Sequence, residues 1–223
     1  YTPDPERVIA AAARLSTSKV SASELRERMT PQQITRLLDH VIASGHLSTL
    51  EHASFTFAID GISRVASHQL VRHRLASYTQ QSQRYVAFKS FAEVQYVTPA
   101  TIVARGFQGR FDAMIKATHD LYREMIEAGV PAEDARFILP NAMETRLVMS
   151  MNARELMHAC SLRLCQRAQW EIQTLFTMVK EEVAKVAPRI AAEFKPKCYR
   201  MGYCDERESC GLFPVKEEIG AKS

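Results

Sequence analysis

Between Gly61 and Ala92 the chain carries no carboxylate, yet Arg64, Arg72, Arg74, Arg84 and Lys89 all lie in that window. Its centre runs Arg72-His73-Arg74-Leu75-Ala76-Ser77-Tyr78-Thr79-Gln80-Gln81-Ser82-Gln83-Arg84-Tyr85, which adds hydroxyls and amides to the arginines. Uncompensated charge of this density has to stay at a surface. A surface built for solubility mixes both signs, so the stretch reads as one made to hold an anion. Of the 29 basic residues in the chain, twenty are arginine, the planar fork that grips phosphate and carboxylate through two bonds at once. The net charge is only +4, well short of a nucleic-acid-binding signature.

The 223 residues fit one large domain or two small ones, and a hydrophobic content of 46% is enough for a real core. No segment approaches the roughly 18–20 apolar residues that span a membrane. The apolar run Val8–Leu15 holds Arg14 and lacks a signal-peptide cleavage pattern. These features lead us to expect a soluble, cytoplasmic protein. The cysteines, Cys160, Cys165, Cys198, Cys204 and Cys210, are odd in number and form no CxxC pair. Free thiols are therefore expected rather than a disulfide scaffold or a zinc ribbon. The even spacing of Cys198, Cys204 and Cys210 leaves a metal or redox role open.

Helix signals dominate the remainder. Asp4-Pro5 predicts a start with Asp4 as cap, and Thr30-Pro31-Gln32-Gln33 predicts a second start with capping-box spacing, closed by Gly45. Gly45–His52 reads as a polar connector. Phe55, Phe57 and Ile59 alternate with polar or small residues as in a strand, which Asp60-Gly61 is expected to break. A helix from Ile62 to Leu70 would then place Gln69 and Arg72 one turn apart. Tyr85–Phe88 and Val94–Val97 read as short strands, Phe107–Ile126 as a long amphipathic helix, and Thr145–Met151 as a further strand. Asn152 caps the next helix with Glu155 three residues on, a last helix runs from about Gln166 to Val186, and the tail from Lys195 is loose. Regular βαβ alternation is missing. The predicted class is α+β, with long helices packed on a small, mainly antiparallel sheet in a single domain spanning residues 1–223.

The glycines build neither GxGxxG nor GxxxxGK[ST], so a bound nucleotide would be held by side chains rather than by a glycine-rich loop. Ser77 and Ser82 lie near His73 without a nucleophile elbow, and the seven histidines show no metal-ligand spacing. No metal site is expected. At this level a small anionic ligand, a nucleic acid on the Arg64–Lys89 face, and no ligand all remain open.

Arg72-His73-Arg74, seven residues and then Ser82 resembles the signature of the flavin-dependent thymidylate synthases. Further blocks follow in that family's order. These are Pro5–Ser16, Gly45–His52 with Phe55-Thr56-Phe57, Ala135-Arg136-Phe137-Ile138-Leu139-Pro140, and Asn152-Ala153-Arg154-Glu155-Leu156 with Leu162-Arg163 and Ala168–Ile172. The resemblance implies a homotetramer with FAD at subunit interfaces. It also implies methylation of dUMP to dTMP with 5,10-methylenetetrahydrofolate as carbon donor and NADPH as reductant of the flavin. By position it implies flavin contacts from Ser48, Arg72, His73, Arg74, Gln80, Asn152, Arg154 and His158. It implies dUMP contacts from Gln69, Arg72, Gln80, Ser82, Gln83, Arg84, Arg136 and Arg163. Arg163 is the implied catalytic residue, polarising the uracil, with Arg84 and Arg136 on the phosphate and His46 near the flavin and folate. Gln80, His158 and Arg167 stand where some members carry Glu, Asn and His. A nucleic-acid-binding module and a flavin-dependent RNA methyltransferase are the competing readings.

Overall fold

The computed structural model describes residues 1–88 and 95–220. The predicted strand at Val94–Val97 therefore lies partly outside them, as does Lys89. Within the described residues the chain is α+β. The helices are α1 Pro5–Leu15, α2 Ala22–Arg28, α3 Pro31–Ala43, α4 Arg64–Leu70, α5 Ala100–Ala104, α6 Gln108–Glu127, α7 Ala132–Ala135, α8 Ala153–Arg163, α9 Trp170–Ala184, α10 Pro188–Ala191, α11 Cys198–Met201 and α12 Lys216–Gly220. The strands β1 Ser54–Ser63, β2 Ala76–Gln80 and β3 Glu144–Asn152 form one sheet in the order β1-β3-β2. Thr56 hydrogen-bonds Ser150, and Gly61 faces Glu144, so β1 and β3 run antiparallel. No described helix is long and apolar enough to cross a membrane.

By contacts the chain divides into two compact units. The first comprises residues 1–57, 73–76 and 150–223, and the second residues 58–72 and 77–149. In the first, α1 packs on α2, α3 and the 3-10 turn Leu47–His52, while α8 packs on that turn and on α9. Its buried side chains include Ile9, Leu38, Leu50, Leu156, Ile172, Phe176 and Phe194. α3 begins with the predicted reciprocal cap: Gln33 N–H donates to the Thr30 hydroxyl, and the Gln33 side-chain Oε1 accepts from Thr30 N–H at 2.9 Å. α8 begins with Glu155 N–H donating to Asn152 Oδ1 at 2.9 Å. In the second unit, Phe88, Tyr122, Ala135 and Met143 form the core, covered by Tyr96, Met125, Ile126, Val130, Ile138 and Leu139.

Several expectations are corrected. Asp4 does not cap α1. Its carboxylate accepts from Arg7 Nε at 2.6 Å and its backbone is left-handed at φ 48°. Asp60-Gly61 does not end β1, because Gly61 takes φ 74° and pairing continues to Ser63. The centre of the basic stretch is itself a strand, β2. Tyr85–Phe88 is not a strand, and Tyr96 makes only an isolated bridge with Met143. The predicted last helix is shorter, capped by Gln169 at its start, and is followed by α10 behind Pro188. The tail from Lys195 is not loose but carries defined turns, α11 and α12.

Candidate functional site

Some of the residues singled out by the sequence meet in two groups of contacts, one in each unit. In the first unit, His73 sits between α4 and β2 and is buried although arginines flank it on both sides. Arg163, at the C-terminal end of α8, donates its Nε–H to His73 Nε2 at 3.0 Å. A guanidinium only donates, so Nε2 must be the unprotonated nitrogen and the ring proton sits on Nδ1. Nδ1 faces Glu155 Oε1 at 3.4 Å. Phe176 packs on the imidazole at a centroid distance of 5.9 Å, and His158 approaches it edge-on at 6.2 Å. Burial, then the Arg163 charge, then His158 lower the His73 pKa from its ordinary 6.5 to about 4. Near neutral pH the imidazole is therefore an uncharged relay between a cation and a carboxyl.

Glu155 is the site residue the sequence reading missed. The spacing from Asn152 marks it as a helix-start residue, which its N–H confirms, but its side chain is buried and turns toward His73. Burial raises its carboxyl pKa, and the nearby His158 opposes that. A sequence signal was present: an acidic residue at the third position of a helix, followed three residues on by His158 and eight by Arg163, falls along one face of α8. His158 is exposed, and so are Arg74 and Ser48. Two further candidates are already engaged. Asn152 Oδ1 caps α8, and Arg154 is ion-paired with Glu51.

In the second unit the basic residues gather around Glu133. Arg84 Nε meets Glu133 Oε2 at 2.6 Å, and Arg136 Nε donates to the Glu133 backbone carbonyl at 3.0 Å. The Arg84 guanidinium lies 5.4 Å from the centre of the Tyr85 ring, and Arg84 N–H donates to the Ser82 hydroxyl at 3.1 Å. Arg64 joins them. Burial and the neighbouring Arg136 charge lower its pKa, a sign of two guanidiniums held close together. One Arg64 Nη donates to the Gln81 carbonyl at 3.1 Å, whereas its buried Nε has no hydrogen-bond partner among the described residues. A buried guanidinium N–H left open beside a second arginine is a donor set awaiting an anion. Arg64 lay in the basic window of the sequence but was not among its predicted ligands.

The remaining candidates divide similarly. Both Gln80 amide hydrogens are committed, to the Ser67 and Thr145 hydroxyls at 3.0 Å each, which ties β2 to α4 and β3. The Gln83 amide donates to the Met143 sulfur at 3.1 Å. Gln69 lies in the last turn of α4, half-buried, and Arg72 follows that helix, exposed. No side chain pairs with Arg72 or Arg74 among the described residues. His46 is exposed ahead of the 3-10 turn, where its carbonyl accepts from the Thr49 hydroxyl.

Residues 1–189 match the family model described as thymidylate synthase complementing protein. Three relatives bear the name flavin-dependent thymidylate synthase. That of Geobacter sulfurreducens is 50% identical over 206 residues, covering 92% of this chain and 88% of the relative. That of Pyrococcus furiosus is 44% identical over 214 residues, covering 93% and 88%. That of Clostridium tetani is 40% identical over 237 residues, covering 98% and 94%. Nothing in these matches supports the nucleic-acid-binding alternative. With a family model spanning most of the chain and relatives at this identity over nearly their whole length, the chain belongs to the family of the flavin-dependent thymidylate synthases.

Proposed function

We propose that this protein methylates dUMP to dTMP, taking its one-carbon unit from 5,10-methylenetetrahydrofolate and using FAD reduced by NADPH, and that it works as a cytoplasmic homotetramer. Family membership supports the activity. The observation that carries the mechanism is the chain Glu155–His73–Arg163, in which a buried imidazole, itself facing a buried carboxyl, accepts from the guanidinium.

The residues present fit both ligands. FAD is an anion with a hydrogen-bonding ring edge. Arg72 and Arg74 are exposed cations without side-chain partners among the described residues, and Ser48 and His158 offer exposed polar groups. These four are the residues we assign to it, while His73, buried with its ring nitrogens turned to Arg163 and Glu155, would act on it only through those partners. Asn152 and Arg154 would have to share the helix cap and the Glu51 ion pair with the cofactor, and Gln80 has only its carbonyl oxygen left to offer. The open Nε of Arg64 beside Arg136 suits the dUMP phosphate, with Arg84 and Ser82 close by in sequence and Gln69 and Gln83 on the same unit. When bound, the reduced flavin would supply the hydride that turns the transferred carbon into a methyl group.

The protein's own contribution is electrostatic. Methylation at C5 of a uracil needs electron density at that carbon, and density develops there as negative charge spreads over the N3–O2 edge. A guanidinium fixed in advance stabilises that charge without reorganising during the reaction. Arg163 meets this requirement because its Nε is held by a neutral imidazole. That imidazole is itself held by Glu155, so the plane of the fork is set before substrate arrives. No thiol or hydroxyl nucleophile is required of the chain. Purified protein should be yellow, and its absorbance should change on adding dUMP. Colourless protein that takes up no FAD and forms no dTMP from dUMP, methylenetetrahydrofolate and NADPH contradicts the proposal. Activity on tRNA in place of dUMP would favour the RNA methyltransferase reading.

A further inference from the structure

From Lys195 to Ile219 the chain turns repeatedly without an apolar core. Among the described residues of that stretch, Cys204 alone is buried. The turns are nonetheless defined. α11 ends at Gly202 with φ 75°, Cys204 bridges in parallel to Val215, and the Tyr199 and Phe213 rings meet edge to face at 5.1 Å. Lys197 reaches Asp205 at 2.8 Å and Glu206 at 3.0 Å. Half-exposed ion pairs stabilise little. A segment this short, with so little apolar burial, generally keeps a defined fold by means of a cross-link or a metal.

Sulfur sits at the centre of these turns. Cys198, Cys204 and Cys210, with Cys165 from the segment between α8 and α9, line one cavity of about 10 Å³. That is room for a single water-sized occupant. Leu212 and Phe213 also line it. Cys165, Cys204 and Cys210 all lie within electrostatic range of the Cys198 thiol, and none of the four is in a disulfide. Among the described residues, no three His, Cys, Asp or Glu side chains are already arranged to hold a metal. Closure on an ion therefore requires the thiols to turn inward.

We propose that Cys165, Cys198, Cys204 and Cys210 form a structural tetrathiolate site for one zinc ion that locks the C-terminal segment against the end of α8. Each thiol loses its proton on binding, the four thiolates fill a tetrahedral shell, and no open position remains for catalysis. Zn²⁺ undergoes no redox change, so no oxidant is required. Lys197 and Arg167 line the same cavity together with Asp205 and Glu206; Lys197 is paired with those two carboxylates and Arg167 with Glu208. Three of the four thiols lie beyond residue 189, where the match to the family model ends.

The test uses the full chain, purified without chelator, loaded with Zn²⁺ and desalted. Elemental analysis should find about one zinc per chain, released by a mercurial that titrates the thiols. Cys204→Ser and Cys210→Ser should each weaken zinc binding by more than the roughly 100-fold that loss of an outer-shell partner costs. Cys210 is exposed, so its variant keeps the test available if Cys204→Ser fails to fold. Cys160→Ser, which alters a buried thiol outside the cavity, should keep the metal. Chelation should speed tryptic cleavage after Lys197 and Arg200 in the parent protein. Absence of zinc after loading, recovery of the four thiols as disulfides from protein kept under reductant, or equal metal loss in Cys160→Ser overturns the proposal.

Discussion

The strongest prediction concerns His73 and pH. In the folded chain the imidazole is buried, accepts from Arg163 and titrates at about 4, whereas an unfolded histidine titrates near 6.5. As pH falls, the unfolded state takes up the proton first, so the stability linked to neutral His73 is fully present above about 6.5 and is lost on the way to about 4. With these values, lowering the pH from about 7.5 to about 5 removes roughly 2 kcal/mol of folding stability. His73→Gln provides the control. Its amide oxygen can accept from Arg163 and its N–H can donate toward Glu155, but it does not titrate. Glu155 and the other carboxyls are common to both proteins and drop out of the difference. Urea midpoints measured at the two pH values should fall further for the parent protein than for His73→Gln, by about that amount. Parallel falls, or a His73 imidazole that titrates near 6.5 by NMR, would refute the neutral-relay geometry.

Further outcomes follow from the same contacts. Arg163→Ala should lower dUMP methylation by about 10²–10³-fold while FAD remains bound, the usual cost of losing one preorganised charge-stabilising donor; steady-state rates read beside the flavin spectrum decide it. Glu155→Gln should lower kcat more than KM and leave FAD stoichiometry unchanged, whereas an equal loss of flavin would mean that Glu155 is only structural. Arg64→Met should weaken dUMP binding and reduce its salt dependence in calorimetric titrations, because the variant removes the open Nε without removing bulk. Thr30→Ala should cost about 1 kcal/mol in urea unfolding through loss of the α3 capping box, with no change in activity.

The local grammar of this chain was legible where one residue pair carries the information. Thr30 with Gln33 and Asn152 with Glu155 announce helix starts by their own hydrogen bonds, and both starts are where the spacing put them. Elements set by tertiary pairing were hidden. β2, Ala-Ser-Tyr-Thr-Gln, has no apolar alternation and is a strand because β3 lies beside it. β1 passes through Asp60-Gly61 because glycine accepts a positive φ inside a paired strand, while a sequence reading sees only a turn signal. The basic stretch was read as a place of uncompensated charge, which holds among the described residues for Arg72 and Arg74 but not for Arg84, paired with Glu133. What it did not reveal is that His73, between two exposed arginines, is buried, or that its partner is Glu155, far away along the chain. The thiols show the same limit. Cys165 looks unrelated to the evenly spaced three until the tail folds back and all four line one cavity.

The most direct test of the central claim follows the folate product. Purified protein supplied with dUMP, 5,10-methylenetetrahydrofolate, FAD and NADPH should form dTMP with tetrahydrofolate as the folate released, and dTMP should not form when FAD is removed. Formation of dTMP without flavin, dihydrofolate as the product, or no dTMP at all would contradict it.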